Sequence, residues 1–231
     1  MSCFRHSDRI WREFPELAAG ALVADGIGAR LDVSARAAPF LEIAGKRLTG
    51  AVESDFPEIQ AWRRVFSRMG LKPTQYRCAS EALLRRLRQE GSLPRIHPVI
   101  DLCNAMSAAF AIPVAVFDLD RIAGSLEVRH AAGGENYATF GGQTENPEPD
   151  EVIFVDEADV AHARRWTNRQ SATSAIRPET TRVLVVAEAM HAEAATDVGR
   201  LLATAEAEIR AVWSIRSRLA MLTPSAPEFP V

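Results

Sequence analysis

The sequence predicts an α+β fold whose strands pair largely antiparallel. Three observations carry this expectation. Short strand-like runs between residues 113 and 156 are punctuated by tight-turn signals at Gly133–Gly134 and Gly141–Gly142, the spacing of hairpins and not of βαβ units. Stretches with helical hydrophobic periodicity flank those runs on both sides. The 231 residues are 47% hydrophobic and 25% charged, an ordinary globular composition in a chain long enough to bury a substantial core. No repeat, low-complexity block or long linker divides the chain. One domain is therefore expected over residues 1–222, followed by a Pro-rich tail over 223–231 that frays.

Taken in order, ELAAGALVADGIGARL (16–31) reads as a buried strand ending in a turn at Gly26 and Gly28. From Ser34 to Met69 the period is helical, but Pro39, Gly45, Gly50 and Pro57 interrupt it, which predicts several short helices. LKPTQYRCA (71–79) is a connector. A helix then begins with Ser80 as N-cap and Glu81 at the positive end of the dipole. Leu83, Leu84 and Leu87 form its apolar stripe, Arg85, Arg86 and Arg88 lie toward its negative end, and Gly91 stops it. Pro98 fits the first turn of the next helix, which runs to about Phe110. Asp101, Asn104 and Ser107 recur at intervals of three on it and form one polar stripe on a largely buried surface. IPVAVFDLD, GSLEVRHA, NYATFGG and DEVIFVDE are the strand runs. Asp156 and Asp159 resemble a capping box and predict a short helix toward Trp166. TTRVLVVAEA (180–189) is a buried strand. The strongest helical pattern in the chain spans 192–219, with Val198, Leu201, Leu202, Ala205, Ile209, Val212 and Trp213 in register.

Several function classes are disfavoured at once. A net charge of −3 and a pI near 6.0 do not announce a nucleic-acid binder, although Arg85, Arg86, Arg88 and Arg95, and again Arg164, Arg165 and Arg169, leave room for a local basic face. Cys3, Cys78 and Cys103 are too few and too widely spaced for a disulfide framework or a zinc site. The N-terminus is charged throughout, and no segment approaches the roughly 18–20 apolar residues of a membrane helix, so a soluble cytoplasmic protein is expected. P-loop, GxGxxG, GxSxG and HExxH patterns are absent, and GIGAR reads as a turn. His6, His97, His130, His162 and His191 lack metal-ligand spacing, so neither metal nor cofactor is expected.

Two constellations remain. Arg95, His97, Asp101, Asn104 and Ser107 interrupt an apolar run, where polar groups are costly unless satisfied. They are either helix caps and an internal hydrogen-bond network or the wall of a pocket, and the pocket wall is the expectation. RRWTNRQSATSAI (164–176) gathers Arg164, Arg165, Trp166, Asn168, Arg169, Ser171 and Thr173. Arginine forks bind phosphate and an indole plane can stack on an unpaired base, whereas the plain alternative is a solvated loop anchored by one Trp.

The order of these pieces resembles the central part of the B3/B4 editing domain of the phenylalanyl-tRNA synthetase β subunit, over roughly Cys78 to Ala189. That family reads as a V-D-x-x-N helix, a G-x-P strand, F-D-L-D, and a strand ending in a G-E turn. Here these are Ile100-Asp101 with Asn104, Pro113, Phe117-Asp118-Leu119-Asp120, and Gly134-Glu135, with ETTRVLVV matching a later T-x-x-V-L-L segment. CASEALLRR and the 164–176 stretch look more like freestanding members of the superfamily. The resemblance implies a sandwich-like arrangement of largely antiparallel sheets covered by helices. It also implies a trans-acting deacylase that hydrolyses the ester of a mischarged tRNA. The partner implied is the aminoacylated 3′ end, with no membrane and no DNA.

The sequence also departs from the family. The family histidine two residues after the strand proline is Ala115, the Thr before the helix Asn is Cys103, and no Glu aligns with the family's M-G-G-E carboxylate near Arg169–Thr173. On this resemblance Asn104, Ser171 and Thr173 are the expected catalytic residues. Arg95, His97, Asp101, Ser107, Glu135, Arg165, Trp166 and Arg169 are the expected substrate-binding residues, with Trp166 stacking on the terminal adenosine or walling the pocket. Because an aminoacyl ester is already activated, positioning and hydrogen bonding supply much of the rate. The alternative is a non-catalytic module of the same fold that binds tRNA or an amino acid. A weaker third reading is a scaffold that dimerises through the C-terminal helix.

Overall fold

A computed structural model describes residues 2–231. In chain order the elements are β1 (Cys3–His6), α1 (Asp8–Glu13), β2 (Ala18–Asp25), α2 (Ser34–Gly50), α3 (Pro57–Arg68), α4 (Ala79–Glu90), α5 (Pro98–Phe110), β3 (Val114–Asp118), β4 (Leu126–His130), β5 (Tyr137–Ala138) and β6 (Thr144–Glu145). β7 (Val152–Asp156), β8 (Ala161–Arg164), β9 (Arg169–Gln170), β10 (Arg182–Ala189), α6 (Ala194–Trp213), β11 (Ser217–Leu222) and β12 (Glu228–Pro230) follow. One sheet has the order β12-β1-β4-β7-β8-β9, a second β11-β2-β10-β3, and β5-β6 form a small hairpin. Pairing is antiparallel except for β1 with β4, where Phe4 faces Leu126 and His6 faces Val128.

Two apolar layers account for this architecture. Between the sheets lie Phe4, Phe154, Phe117, Leu184 and Val186, with Ile10, Trp62, Phe66 and Leu84 closing the layer from α1, α3 and α4. On the outer face of the four-stranded sheet, Leu22, Val183 and Val185 pack against Met106, Val198 and Leu202 of α5 and α6. The period of two on β10 is therefore complete, with Leu184 and Val186 turned to one layer and Val183, Val185 and Ala187 to the other. A strand covered on both faces reads as a continuous apolar run, which is how 18–24 and 183–187 read in the sequence. The α+β class, the antiparallel sheets and the helical cover match the expectation.

Several elements differ from their sequence readings. Residues 34–50 form one helix that continues through Pro39 instead of several pieces. Ser80 is not the cap of α4. Cys78 occupies that position, while Ser80 is buried and donates its hydroxyl to the Ala111 carbonyl. Asp156 does cap, but it caps a turn and not a helix, accepting from the Ala158 and Val160 N–H groups. The chain then leaves as β8, because Ala161 and Ala163 find β7 as a partner. The C-terminal helix ends at Trp213, with Ser214 in the left-handed region, and the remainder of that run becomes β11. The Pro-rich end does not fray: β12 pairs with β1, Phe229 is buried, and the Val231 N–H donates to the Ser2 carbonyl. Gly91, by contrast, ends α4 in the left-handed conformation, as a glycine there permits.

Candidate functional site

The residues expected in one site fall in separate places. Arg95, Asp101 and Asn104 line a cleft of about 570 Å³ between α2 and α5, together with Ala37, Leu41 and Leu93. Asp101 and the remaining polar residues of this stretch are also tied up in local hydrogen bonds. Asp101 accepts from the N–H groups of Ile96 and His97 at 2.8 and 3.3 Å. His97 accepts from the Val99 N–H through Nδ1, and burial lowers its pKa. Ser107 is fully buried and donates to the Ile112 carbonyl at 2.6 Å. Glu135 is also structural. Its carboxylate accepts from the Ala132 and Gly133 N–H groups and from Arg129. Burial alone would raise this carboxyl, but those donors hold it at about 2. Cys103 is buried, and burial pushes its thiol up to about 12, so it offers no thiolate.

The second expected group lies elsewhere. Ser171 is fully buried and donates to the Ala138 carbonyl, with Thr173 beside it at 3.2 Å. Trp166 has no exposed surface, so it cannot present a stacking face to a base. Arg165 and Trp166 are consecutive non-glycine residues in the left-handed region, at φ 48° and 56°. This uncommon turn sends one side chain outward and the next into the core.

Where Trp166 points, a different site appears. β3 and β9 are edge strands, one from each sheet, and a cleft of about 440 Å³, counting its open mouth, lies where they face each other. Pro113, Ala115, Phe154, Ala163, Trp166 and Val186 give it apolar walls, and Thr167–Gln170 and Ala79 form its lip. Glu188 is the carboxylate that lines it, 2% exposed. His6 Nε2 lies 2.6 Å from its Oε1, and the Trp166 indole N–H donates to it at 3.1 Å. A carboxylate has about four acceptor sites, so two donors leave room for a third group on the cleft side. Thr167 lines the same cleft, and its hydroxyl oxygen is buried without a hydrogen-bond partner among the described residues. Asn168 donates to the Arg77 carbonyl at 2.7 Å, and Gln170 to the Val116 carbonyl at 2.7 Å, which fixes the lip to its surroundings. Arg169 also lines the cleft while pairing with Glu145.

The two clefts share no lining residue. Arg95, Asp101 and Asn104 thus line one cleft and Trp166 and Arg169 another, and the two groups do not meet in a joint site. Sequence reasoning missed Glu188, His6 and Thr167. The available signal was Glu188 itself, a lone carboxylate in a strand that after Arg182 is otherwise built from Val, Leu and Ala.

A buried chain also runs from Ser174 Oγ to His162 Nδ1 at 2.8 Å and from His162 Nε2 to Asp156 Oδ2 at 3.1 Å. Ser174 and His162 have no exposed surface, so despite its composition this relay is a brace between β8 and the loop after β9. Burial alone would raise the Asp156 carboxyl, but the His162 hydrogen bond and the Ala123 and Val160 N–H groups hold it at about 2. Among the described residues no cluster of His, Cys, Asp and Glu could hold a metal ion, and no helix is long and apolar enough to cross a membrane.

A model of the B3/4 domain family matches residues 61–211, which include every residue of the β3–β9 cleft. The phenylalanine–tRNA ligase beta subunit of Bradyrhizobium diazoefficiens is 36% identical over 80 residues, 35% of this chain and 10% of that protein. The same subunit of Thiobacillus denitrificans is 35% identical over 74 residues, 32% of this chain and 9% of that protein. The aligned part of the chain thus corresponds to about a tenth of the length of these relatives. An N-terminal fragment of the phenylalanyl-tRNA synthetase beta subunit from Pyrococcus horikoshii superposes with a TM-score of 0.50 at 12% identity. It covers 93% of this chain and 50% of its own, a likeness of fold.

Proposed function

The chain belongs to the B3/4 domain family, and from that premise we propose that it hydrolyses the ester joining an amino acid to the 3′ end of a mischarged tRNA, in the cleft between β3 and β9. The observation that carries this reading is the cleft's composition. Apolar walls share the cleft with the Glu188 carboxylate and with the unpartnered hydroxyl of Thr167. The relatives are tRNA ligases, which supports tRNA as the partner.

In the reaction, water oxygen bonds to the acyl carbon, the bond to the ribose oxygen breaks, and that oxygen takes the proton that the base has removed from the water. Glu188, oriented by His6 and Trp166, accepts the proton from water, a role that contributes about 10²–10⁴-fold in rate where it operates. Thr167 orients the water, and Asn168 and Arg169 receive the ribose end at the lip. The position two residues after Pro113 is Ala115, so the histidine found there in the synthetase family has no part in this cleft. Binding without turnover is the second reading, and Ala115 favours it.

A deacylation panel of mischarged tRNAs tests the assignment with wild type, Thr167→Val, Glu188→Gln and Asn104→Ala. The expected result is turnover by wild type and Asn104→Ala, with losses of at least about tenfold for Thr167→Val and Glu188→Gln. Loss confined to Asn104→Ala moves the chemistry to the α2–α5 cleft. Saturable binding of tRNA without release of amino acid by wild type supports the module.

A further inference from the structure

The stacking surface that Trp166 does not provide is present one residue earlier. The Arg165 guanidinium lies 4.8 Å from the centre of the Tyr76 ring, and both side chains are partly exposed. Tyr76 belongs to the loop between α3 and α4, which is clipped to the cleft lip at two points. The Ala79 N–H donates to the Thr167 carbonyl at 2.8 Å, and the Asn168 amide donates to the Arg77 carbonyl at 2.7 Å. The Arg165 backbone N–H is itself fixed by Glu151 at 3.0 Å. The Tyr76–Arg165 pair is therefore held beside Thr167 and Asn168, at the rim of the cleft and outside it.

Charge singles out the same residue. Arg164 pairs with Glu145 and Glu151, and Arg169 pairs with Glu145. Three arginines thus face two glutamates, and among the described residues no carboxylate pairs with Arg165. The unneutralised positive charge of the cluster sits on the one guanidinium that rests on a partly exposed aromatic ring. On a chain of net charge −3 this is a local feature and not a general affinity for anions. A guanidinium with one face covered by a ring can offer its other face to a base and its N–H fork to a phosphate.

We propose that Tyr76 and Arg165 form the docking rim for the unpaired 3′-terminal nucleotides of RNA, delivering the end of the strand to the β3–β9 cleft. This rests on the deacylase reading for what enters the cleft, but the rim itself binds RNA whether or not the ester is cleaved.

The test uses an uncharged RNA hairpin with a four-nucleotide single-stranded 3′ overhang, a blunt hairpin as control, and fluorescence anisotropy across a salt series. Wild type is expected to prefer the overhang. Arg165→Gln is expected to weaken overhang binding by about tenfold and to reduce the slope of log K against log salt by about 0.7, the value for one single-strand phosphate contact. Tyr76→Ala is expected to weaken it by about fivefold with the slope unchanged, and Tyr76→Phe to restore it. Arg218→Gln, on the exposed edge strand β11, controls for general charge and is expected to leave binding within twofold. Equal affinity of wild type for the two hairpins overturns the proposal. So does a normal affinity and slope in Arg165→Gln and Tyr76→Ala proteins whose thermal unfolding matches wild type. A protein that hydrolyses no aminoacyl-tRNA but shows the overhang preference and both variant effects retains the rim and loses only the deacylase. Hydrolysis of aminoacyl-tRNA with unaltered KM in both variants retains the deacylase and removes the rim.

Discussion

Glu188→Gln separates a carboxylate that merely fills space from one that two donors depend on. The wild-type carboxylate receives the Trp166 N–H and lies 2.6 Å from His6 Nε2, in a site 2% exposed. The indole N–H reaches both carboxylate oxygens at 3.1 Å, and Oε1 also lies 2.6 Å from His6 Nε2. A glutamine oxygen at the Oε1 place keeps both partners, but the NH2 at the other place then faces the indole N–H, a donor against a donor. Losing the charge-assisted bonds and setting two buried donors together costs about 1–3 kcal/mol. Glu188→Ala leaves both donors without an acceptor and opens a void, and the expected loss rises to about 3–5 kcal/mol. Urea unfolding at neutral pH, followed by tryptophan fluorescence, reads both numbers. A Glu188→Gln protein within about 0.5 kcal/mol of wild type would refute the reasoning, because that is the range of substitutions that touch nothing of consequence.

Acidification should weaken the fold in two stages. His97 and His130 are depressed below 6.5, burial being the main cause, so the unfolded chain takes up protons first and stability declines as pH falls from about 6.5. Glu135 and Asp156, held at about 2 against 4.5 and 3.8, contribute stability that is complete above those ordinary values and is lost as pH falls toward about 2. A urea midpoint that does not change over that span overturns the assignment, and Asp156→Asn should flatten the lower stage. Gly20→Ala places a methyl against the buried Leu202 side chain between β2 and α6 and should cost about 1–3 kcal/mol in a thermal melt; an unchanged Tm would contradict the close approach. Removing residues 224–231 strips β12 from β1 and exposes the apolar surface that Phe229 covers. It should lower stability by about 2 kcal/mol or more, where a frayed tail would contribute nothing measurable.

What could be read from the sequence was whatever a single element dictates. Pro98 and Gly91 mark real helix ends because their backbone chemistry acts within one turn. The apolar runs of β2 and β10 were legible because both faces of each are covered. Short elements defined by distant partners were not. β1 is four residues that include Arg5 and His6, and it is a strand because β4 and β12 lie on either side. The same distance hides the cleft, since His6 and Glu188 are 182 positions apart. Trp166 was visible as a residue of consequence, but its direction was not, because a left-handed turn at two ordinary residues has no compositional marker. The stripe of Asp101, Asn104 and Ser107 is real as a helix face, and its polar groups divide between caps and a cleft because α5 buries one flank more deeply than the other.

The antiparallel seam of β1 with β12 brings Ser2 and Val231 within hydrogen-bonding reach of each other. A body whose entrance and exit coincide can be spliced into a host polypeptide at one surface point without stretching either side, and it can be cut out again as cleanly. The same geometry allows a circularly permuted version, closed by a short linker at that seam and reopened at an exposed turn, with the interior undisturbed.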